Sequence, residues 1–218
     1  LPFSDFTFVW DIATPVCLNS VRKDIIRIYK GEKTKNVVFE SVGFKGIQSF
    51  ASIIIPSYRN AKEVVPTVKS ALLQSYGNYE VIVVSDNPDE SNFSTELRIL
   101  LKEEGVCYES LERLKVVSHY INRMASAARN TGLFVSKGEY VFFLDDDDIY
   151  KKDRLVNAIS ELERKTEFDA IYCGYECSWN GHKDDTRFKE GNFLDNILKL
   201  KYSTHYMCTN TVSYRRSA

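Results

Sequence analysis

Short, mostly apolar runs that each stop at a polar turn constrain this chain more than any other feature. Ala51-Ser52-Ile53-Ile54-Ile55 is stopped by Pro56. Tyr79-Glu80-Val81-Ile82-Val83-Val84 gives way to Ser85-Asp86-Asn87-Pro88-Asp89, and Tyr140-Val141-Phe142-Phe143-Leu144 runs straight into Asp145. Runs that are continuous rather than alternating suit strands covered on both faces, the condition of a parallel sheet. The segments between them have helical spacing: Ala61–Gln74, with Val64, Val68, Ala71 and Leu72 inward, then Ser94–Glu104 closed by Gly105, Met124–Ser136 and Lys152–Lys165. Leu114–Ser118, Ala170–Tyr175 and Thr209–Tyr214 read as further strands, and Asp195–Leu200 as a short helix. Strands alternating with helices predict an α/β fold with a mainly parallel sheet.

Residues 1–49 carry no chemical motif and are set apart as an N-terminal extension, with strands expected over 6–12 and 37–39 and a helix over 18–29. Residues 50–218 form the domain proper. The first residue is Leu1, so the natural start is expected upstream or trimmed. No basic-then-apolar leader and no stretch near ~18 apolar residues is visible.

A net charge of −1 provides no field of one sign for nucleic acid. Five cysteines, at 17, 107, 173, 177 and 208, read as reduced thiols in a cytoplasmic setting. Cys173 and Cys177 with His182 lack a second ligand pair at zinc spacing, and the segment around Cys173 reads as buried strand.

Open parallel sheets bind ligands beyond the carboxyl ends of their strands. Three polar turns fall there: Pro56-Ser57-Tyr58-Arg59-Asn60, Ser85–Asp89 and Asp145–Asp148. The last is the sharpest signal, because a buried strand delivers four consecutive carboxylates to the ligand edge. Like charges so placed raise one another's pKa unless a cation neutralises them. Hard divalent ions prefer such oxygens and bridge to phosphates. The run lacks the glycine and distal glutamate of an EF-hand loop.

With Ser52–Tyr58, Tyr79–Asp86, Ala128-Arg129-Asn130-Thr131-Gly132 and Gly138–Asp148 in this order and spacing, the sequence resembles a family 2 glycosyltransferase over roughly residues 50–216. The resemblance implies a GT-A fold, a Rossmann-like, mainly parallel sheet flanked by helices. It implies a nucleotide-sugar donor, probed first as a UDP-sugar, and inverting transfer to a hydroxyl acceptor in glycan or cell-surface polysaccharide synthesis. Pro56, Ser57 and Tyr58 match the loop lining base and ribose. Asp86 matches the residue that hydrogen-bonds uracil, and Arg129 the arginine beside the nucleotide. Asp145 and Asp147 match the Asp-x-Asp motif, Asp145 toward ribose or sugar with Asp146 beside it, and Asp147 as ligand of Mn2+ or Mg2+. The expected acceptor is a glycan or lipid-linked species, with peripheral association at the inner face of the membrane through parts beyond this chain.

Arg59 stands where the family often has Asn, and Asn87-Pro88 replaces Gly-Ser. The Glu-Asp pair that supplies the family's general base follows the segment matching Asn210–Arg216. The chain stops at Ala218, so a partial enzyme is expected, with its base beyond that residue. Asp184 and Asp185 are poor substitutes, because Asn180–Lys189 reads as a hairpin or surface excursion. Three rival readings are weighed. A sugar nucleotidyltransferase needs a glycine-rich loop after its first strand, which Pro56-Ser57-Tyr58-Arg59 lacks. An aspartate-nucleophile phosphatase carries its aspartates after the first core strand. A nucleotide-sugar-binding module without catalysis is the third.

Overall fold

The computed structural model describes residues 49–166, 168–179, 182–186 and 209–217. The elements expected over 6–12, 18–29, 37–39 and 195–200 lie outside these residues. In chain order the elements are β1 (Ala51–Ser57), α1 (Ala61–Leu72), β2 (Tyr79–Ser85), α2 (Phe93–Glu103), α3 (Tyr108–Leu111), β3 (Leu114–Ser118), α4 (Met124–Val135), β4 (Tyr140–Phe143), α5 (Arg154–Arg164), β5 (Ala170–Tyr172), β6 (Tyr175–Trp179), β7 (His182–Thr186) and β8 (Val212–Arg215).

Six strands form one sheet in the order β3-β2-β1-β4-β8-β5. β1 pairs parallel with both β2 and β4, and β2 parallel with β3. β8 enters antiparallel between β4 and β5. Every residue of β1 and β2 is buried, as the apolar stretches Ile53–Ile55 and Val81–Val84 require, and Ser52 and Glu80 are buried with them. Each fully buried aliphatic side chain in these strands contributes about 1.5–3 kcal/mol. Ile53 and Ile55 pack into the layer formed by α1, α2 and α5. Ile54, one step out of phase, packs on the opposite face with Leu133 of α4. Gly132 allows that helix to close on the sheet, since a Cβ there would come within 2.3 Å of Ile54 Cγ2. α1 starts at a capping box in which Asn60 accepts from Glu63 N and Glu63 accepts from Asn60 N. Gly105, at φ +80, ends α2, and the next amide, from Val106, returns to Leu101 O.

Three expectations are corrected. Pro56 does not end β1, which continues through Ser57. Ile54 O accepts from Leu144 on the β4 side at 3.0 Å, and Ser57 O accepts from Asp86 on the β2 side at 2.7 Å. Pro56, two residues beyond Ile54, therefore faces the β4 side after that ladder has ended, where a missing N–H costs nothing. Ala170–Tyr175 is not one buried strand: it breaks after a partly exposed β5, and Tyr175 opens the separate β6–β7 hairpin. The last strand, read over Thr209–Tyr214, begins only at Val212, after a helical turn at Thr209–Thr211, and is hydrogen-bonded on both sides. Linear order does not reveal that a late strand inserts into the sheet's interior.

Candidate functional site

The first three strands step outward from β1 in one direction, and β4 returns to its other side. The chain therefore diverges between β1 and β4, the position at which open α/β sheets take their ligands beyond the strands' carboxyl ends. The loop after β1 meets the loop after β4 through Asp146 and the end of β2 through the bond from Asp86 N to Ser57 O.

Asp146 ties two of these loops together. Its Oδ2 accepts from Ser57 Oγ at 2.9 Å and Tyr58 N at 3.2 Å, and its Oδ1 accepts from Arg59 Nε at 3.2 Å. Thr67 Oγ1 donates to the Asp146 carbonyl at 3.1 Å, which adds α1 to the joint. Arg59 extends past Asp146 to Asp147, with Nη2 3.0 Å from Oδ2. The hydrogen bond to Asp146, together with both aspartate charges, raises the Arg59 guanidinium above its ordinary pKa.

The aspartate turn is closed by Asp148 N donating to Asp145 O at 3.1 Å. Asn210 clamps it from the segment just before β8: its Oδ1 accepts from Asp145 N at 2.8 Å, and its Nδ2 donates to Asp148 Oδ2. Arg129 of α4 donates from Nη2 to Asp145 Oδ1 at 2.6 Å. The Nε of Arg129 is buried with no partner among the described residues. Desolvation first, then the charges of Asp147 and Asp145, raise Asp148 above the ordinary aspartate range, against the opposing hydrogen bond from Asn210.

Asp145 thus faces Arg129, Asp146 and Asp147 share Arg59, and Asp148 faces Asn210, and no three ligating side chains converge among the described residues. A caged cation site is not built here. The donor set fits a hard cation held by one or two carboxylates that completes its shell with phosphate oxygens and water, the habit of Mg2+. Asp147 suits that part best, with a side chain 59% exposed and Arg59 as its single partner among the described residues.

Asp86, at the end of β2, is 3% exposed. Its Oδ1 lies 2.7 Å from His119 Nδ1 and accepts from Arg123 N at 2.8 Å. The other imidazole nitrogen of His119 lies 2.9 Å from Thr131 Oγ1 on α4. Tyr120 and Ile121 are exposed on the adjoining loop, and Met124, exposed at the start of α4, sits in the left-handed region at φ 69.

All the residues singled out in the sequence therefore lie at this one edge: Pro56, Ser57 and Tyr58 after β1, Asp86 after β2, Arg129 on α4 and Asp145 to Asp147 after β4. Pro56 is buried and Tyr58 exposed. Asp184 and Asp185 stand on β7, in the separate two-stranded sheet. Sequence reasoning missed His119, Thr131 and Asn210. His119 was legible in part, since it follows β3 just as Asp86 follows β2. Asn210 had no local signal, because its contacts span 62 to 65 residues.

The family model described as Glycosyl transferase family 2 matches residues 52–218. The chain is 32% identical over 169 residues to the poly(ribitol-phosphate) beta-N-acetylglucosaminyltransferase TarP of Staphylococcus aureus, covering 74% of this chain and 49% of that protein. It is 31% identical over 125 residues to UDP-Glc:alpha-D-GlcNAc-diphosphoundecaprenol beta-1,3-glucosyltransferase WfgD of Escherichia coli, covering 57% and 45%. The chain spans about half the length of the curated relatives it matches. The mannosyltransferase PcManGT of Pyrobaculum calidifontis, solved with GDP-Man and Mn2+, superposes with a TM-score of 0.57 at 18% identity, over 92% of this chain and 54% of that one. Staphylococcus aureus TarS 1-349, solved with UDP-GlcNAc, gives a TM-score of 0.55 at 24% identity, over 77% and 45%.

Proposed function

The chain belongs to glycosyltransferase family 2 and has the GT-A fold, and on that premise we propose that residues 50–218 form the donor-binding domain of an enzyme that transfers a sugar from a UDP-sugar to a hydroxyl acceptor. One observation carries the reading: a buried acceptor, Asp86, after β2 and a carboxylate turn held by Arg129 after β4 stand at the same carboxyl edge of the sheet, at its switch point. The relative whose name gives UDP-Glc as its donor supports UDP as the carrier.

In this reading Asp86 receives the uracil imide N–H, and Pro56 to Tyr58 line base and ribose. Asp146 acts through that loop, because its carboxylate holds Ser57 and Tyr58 in place. Asp145 faces the ribose or sugar, held by Arg129, whose remaining donor capacity is directed at the diphosphate. Asp147 holds Mn2+ or Mg2+, which when bound neutralises the charge of the departing diphosphate. The acceptor is a glycan or lipid-linked hydroxyl in cell-surface polysaccharide synthesis, and transfer inverts the anomeric centre.

Calorimetry with UDP tests the reading. UDP affinity is expected to fall by roughly ten- to a hundredfold when EDTA replaces Mn2+. Unchanged affinity removes the metal from Asp147, and equal affinity for UDP and CDP removes the base from Asp86.

A further inference from the structure

We propose that His119 is a positioning residue that sets base selectivity by fixing the Asp86 carboxylate; the inference rests on the reading of Asp86 as the base acceptor. His119 is 9% exposed, follows β3 directly and bridges two elements: its Nδ1 is 2.7 Å from Asp86 Oδ1, and its Nε2 is 2.9 Å from Thr131 Oγ1. The tautomer that satisfies both contacts carries its proton on Nδ1. Nδ1–H then donates to Asp86, and the Thr131 hydroxyl donates to Nε2.

The consequence lies in what remains of Asp86. Oδ1 accepts from both His119 and Arg123 N, so the carboxylate cannot turn about its Cβ–Cγ bond without losing two donors. Oδ2 has no hydrogen-bond partner among the described residues and is left for a ligand. An outward-held carboxylate oxygen accepts an N–H. It therefore favours uracil, whose N3 carries a hydrogen, over cytosine, whose N3 is itself an acceptor. Without His119 the carboxylate rotates more freely and the discrimination weakens. A packing role alone predicts no effect on the choice between two pyrimidines of the same size. Thr131 lies two residues beyond Arg129 on α4, so the same relay anchors the helix that contacts the aspartate turn.

The test measures UDP, CDP and Mn2+–pyrophosphate affinity by calorimetry for the wild-type chain, His119→Ala, His119→Asn and Thr131→Val. His119→Ala should lose about tenfold or more for UDP, the scale of one hydrogen bond to a charged group. Its UDP-to-CDP ratio should collapse while pyrophosphate affinity holds. His119→Asn, whose amide N–H can stand in for Nδ1–H, should restore most of the ratio, and Thr131→Val should reduce it several-fold. An intact ratio in His119→Ala, or an equal loss for pyrophosphate, overturns the proposal. If His119→Ala does not fold, an unchanged ratio in Thr131→Val overturns it. Absence of UDP preference in the wild-type chain would overturn the reading of Asp86 itself, an outcome visible before any variant is made.

Discussion

The two ends of the central sheet both carry buried or half-buried carboxylates, and they treat them in opposite ways. At the amino end, Glu80 is 3% exposed and its oxygens are filled: Oε1 accepts from Ser52 Oγ at 2.8 Å and Lys137 N at 2.7 Å, and Oε2 from Lys115 Nζ at 2.5 Å. Ser52 Oγ accepts in turn from Gly138 N. A Cβ at Gly138 would come 2.4 Å from Ser52 N, so no space is left there. At the carboxyl end, five aspartates share Arg59, Arg129 and His119, and Asp86 Oδ2 and Asp147 Oδ1 have no partner among the described residues. Burial pushes Glu80 up, but the hydrogen bonds from Lys115, Lys137 N and Ser52 outweigh it and hold its pKa below the ordinary glutamate value. Asp148 is shifted the other way. A carboxylate with its donors supplied serves the fold, whereas a group of carboxylates short of positive charge has capacity left for a ligand.

The comparison breaks most easily by exchanging the losses. Glu80→Ala leaves Ser52, Lys137 N and Lys115 without their acceptor and is expected to cost about 3 kcal/mol of stability by denaturant titration. UDP affinity of the folded fraction should be unchanged. Asp147→Ala should do the reverse, with roughly a hundredfold loss of Mn2+-dependent UDP affinity and unfolding that stays put or improves slightly. If both variants lose both properties, the division between the ends is false.

Acid sharpens the same contrast. The stability from the lowered Glu80 pKa is complete above the ordinary glutamate value of 4.5 and is lost as pH falls through the folded value. Glu80→Gln should therefore be less stable than wild type at pH 7, with the gap closing toward pH 3 in chemical denaturation. A constant gap would mean that the loss is packing rather than charge.

The smallest effect concerns Met124. A left-handed non-glycine residue costs about 1–2 kcal/mol, and glycine returns part of that through its greater unfolded-state entropy. Met124→Gly should gain about 0.5–1 kcal/mol, a rise of roughly 1–4 °C in Tm, with UDP affinity unchanged. A lower Tm would show that the exposed Met124 side chain contributes more than its backbone strain costs.

Most of this architecture was legible in the sequence because the central strands are buried on both faces, so Ile53 to Ile55 and Val81 to Val84 announce themselves by composition alone. The aspartate turn was legible because its charge interrupts such a run. Strand order was less so: nothing local tells β8 to enter between β4 and β5, and the partly exposed β5 carries too little apolar signal to separate it from β6. In the site, residue types revealed the acceptors but not their partners. That Asp146 faces Ser57, Tyr58 and Arg59 rather than outward follows from the register of β1 against β4, which no motif encodes. His119 was missed for a related reason, since one histidine after a strand is more often a packed side chain than a link between Asp86 and Thr131.

Asn210 has a consequence in time. The link from Asp86 through His119 to Thr131 needs nothing beyond residue 131, and the amino-end network around Glu80 needs nothing beyond Gly138. The aspartate turn waits about 60 residues longer for its clamp. At synthesis rates of about 5–20 residues per second, the nascent chain spends several seconds with β1 to β4 made while Asn210 and β8, which completes the sheet's interior, are still to come. The Asp86–His119–Thr131 link can therefore form before the turn at Asp145 to Asp148 gains its clamp.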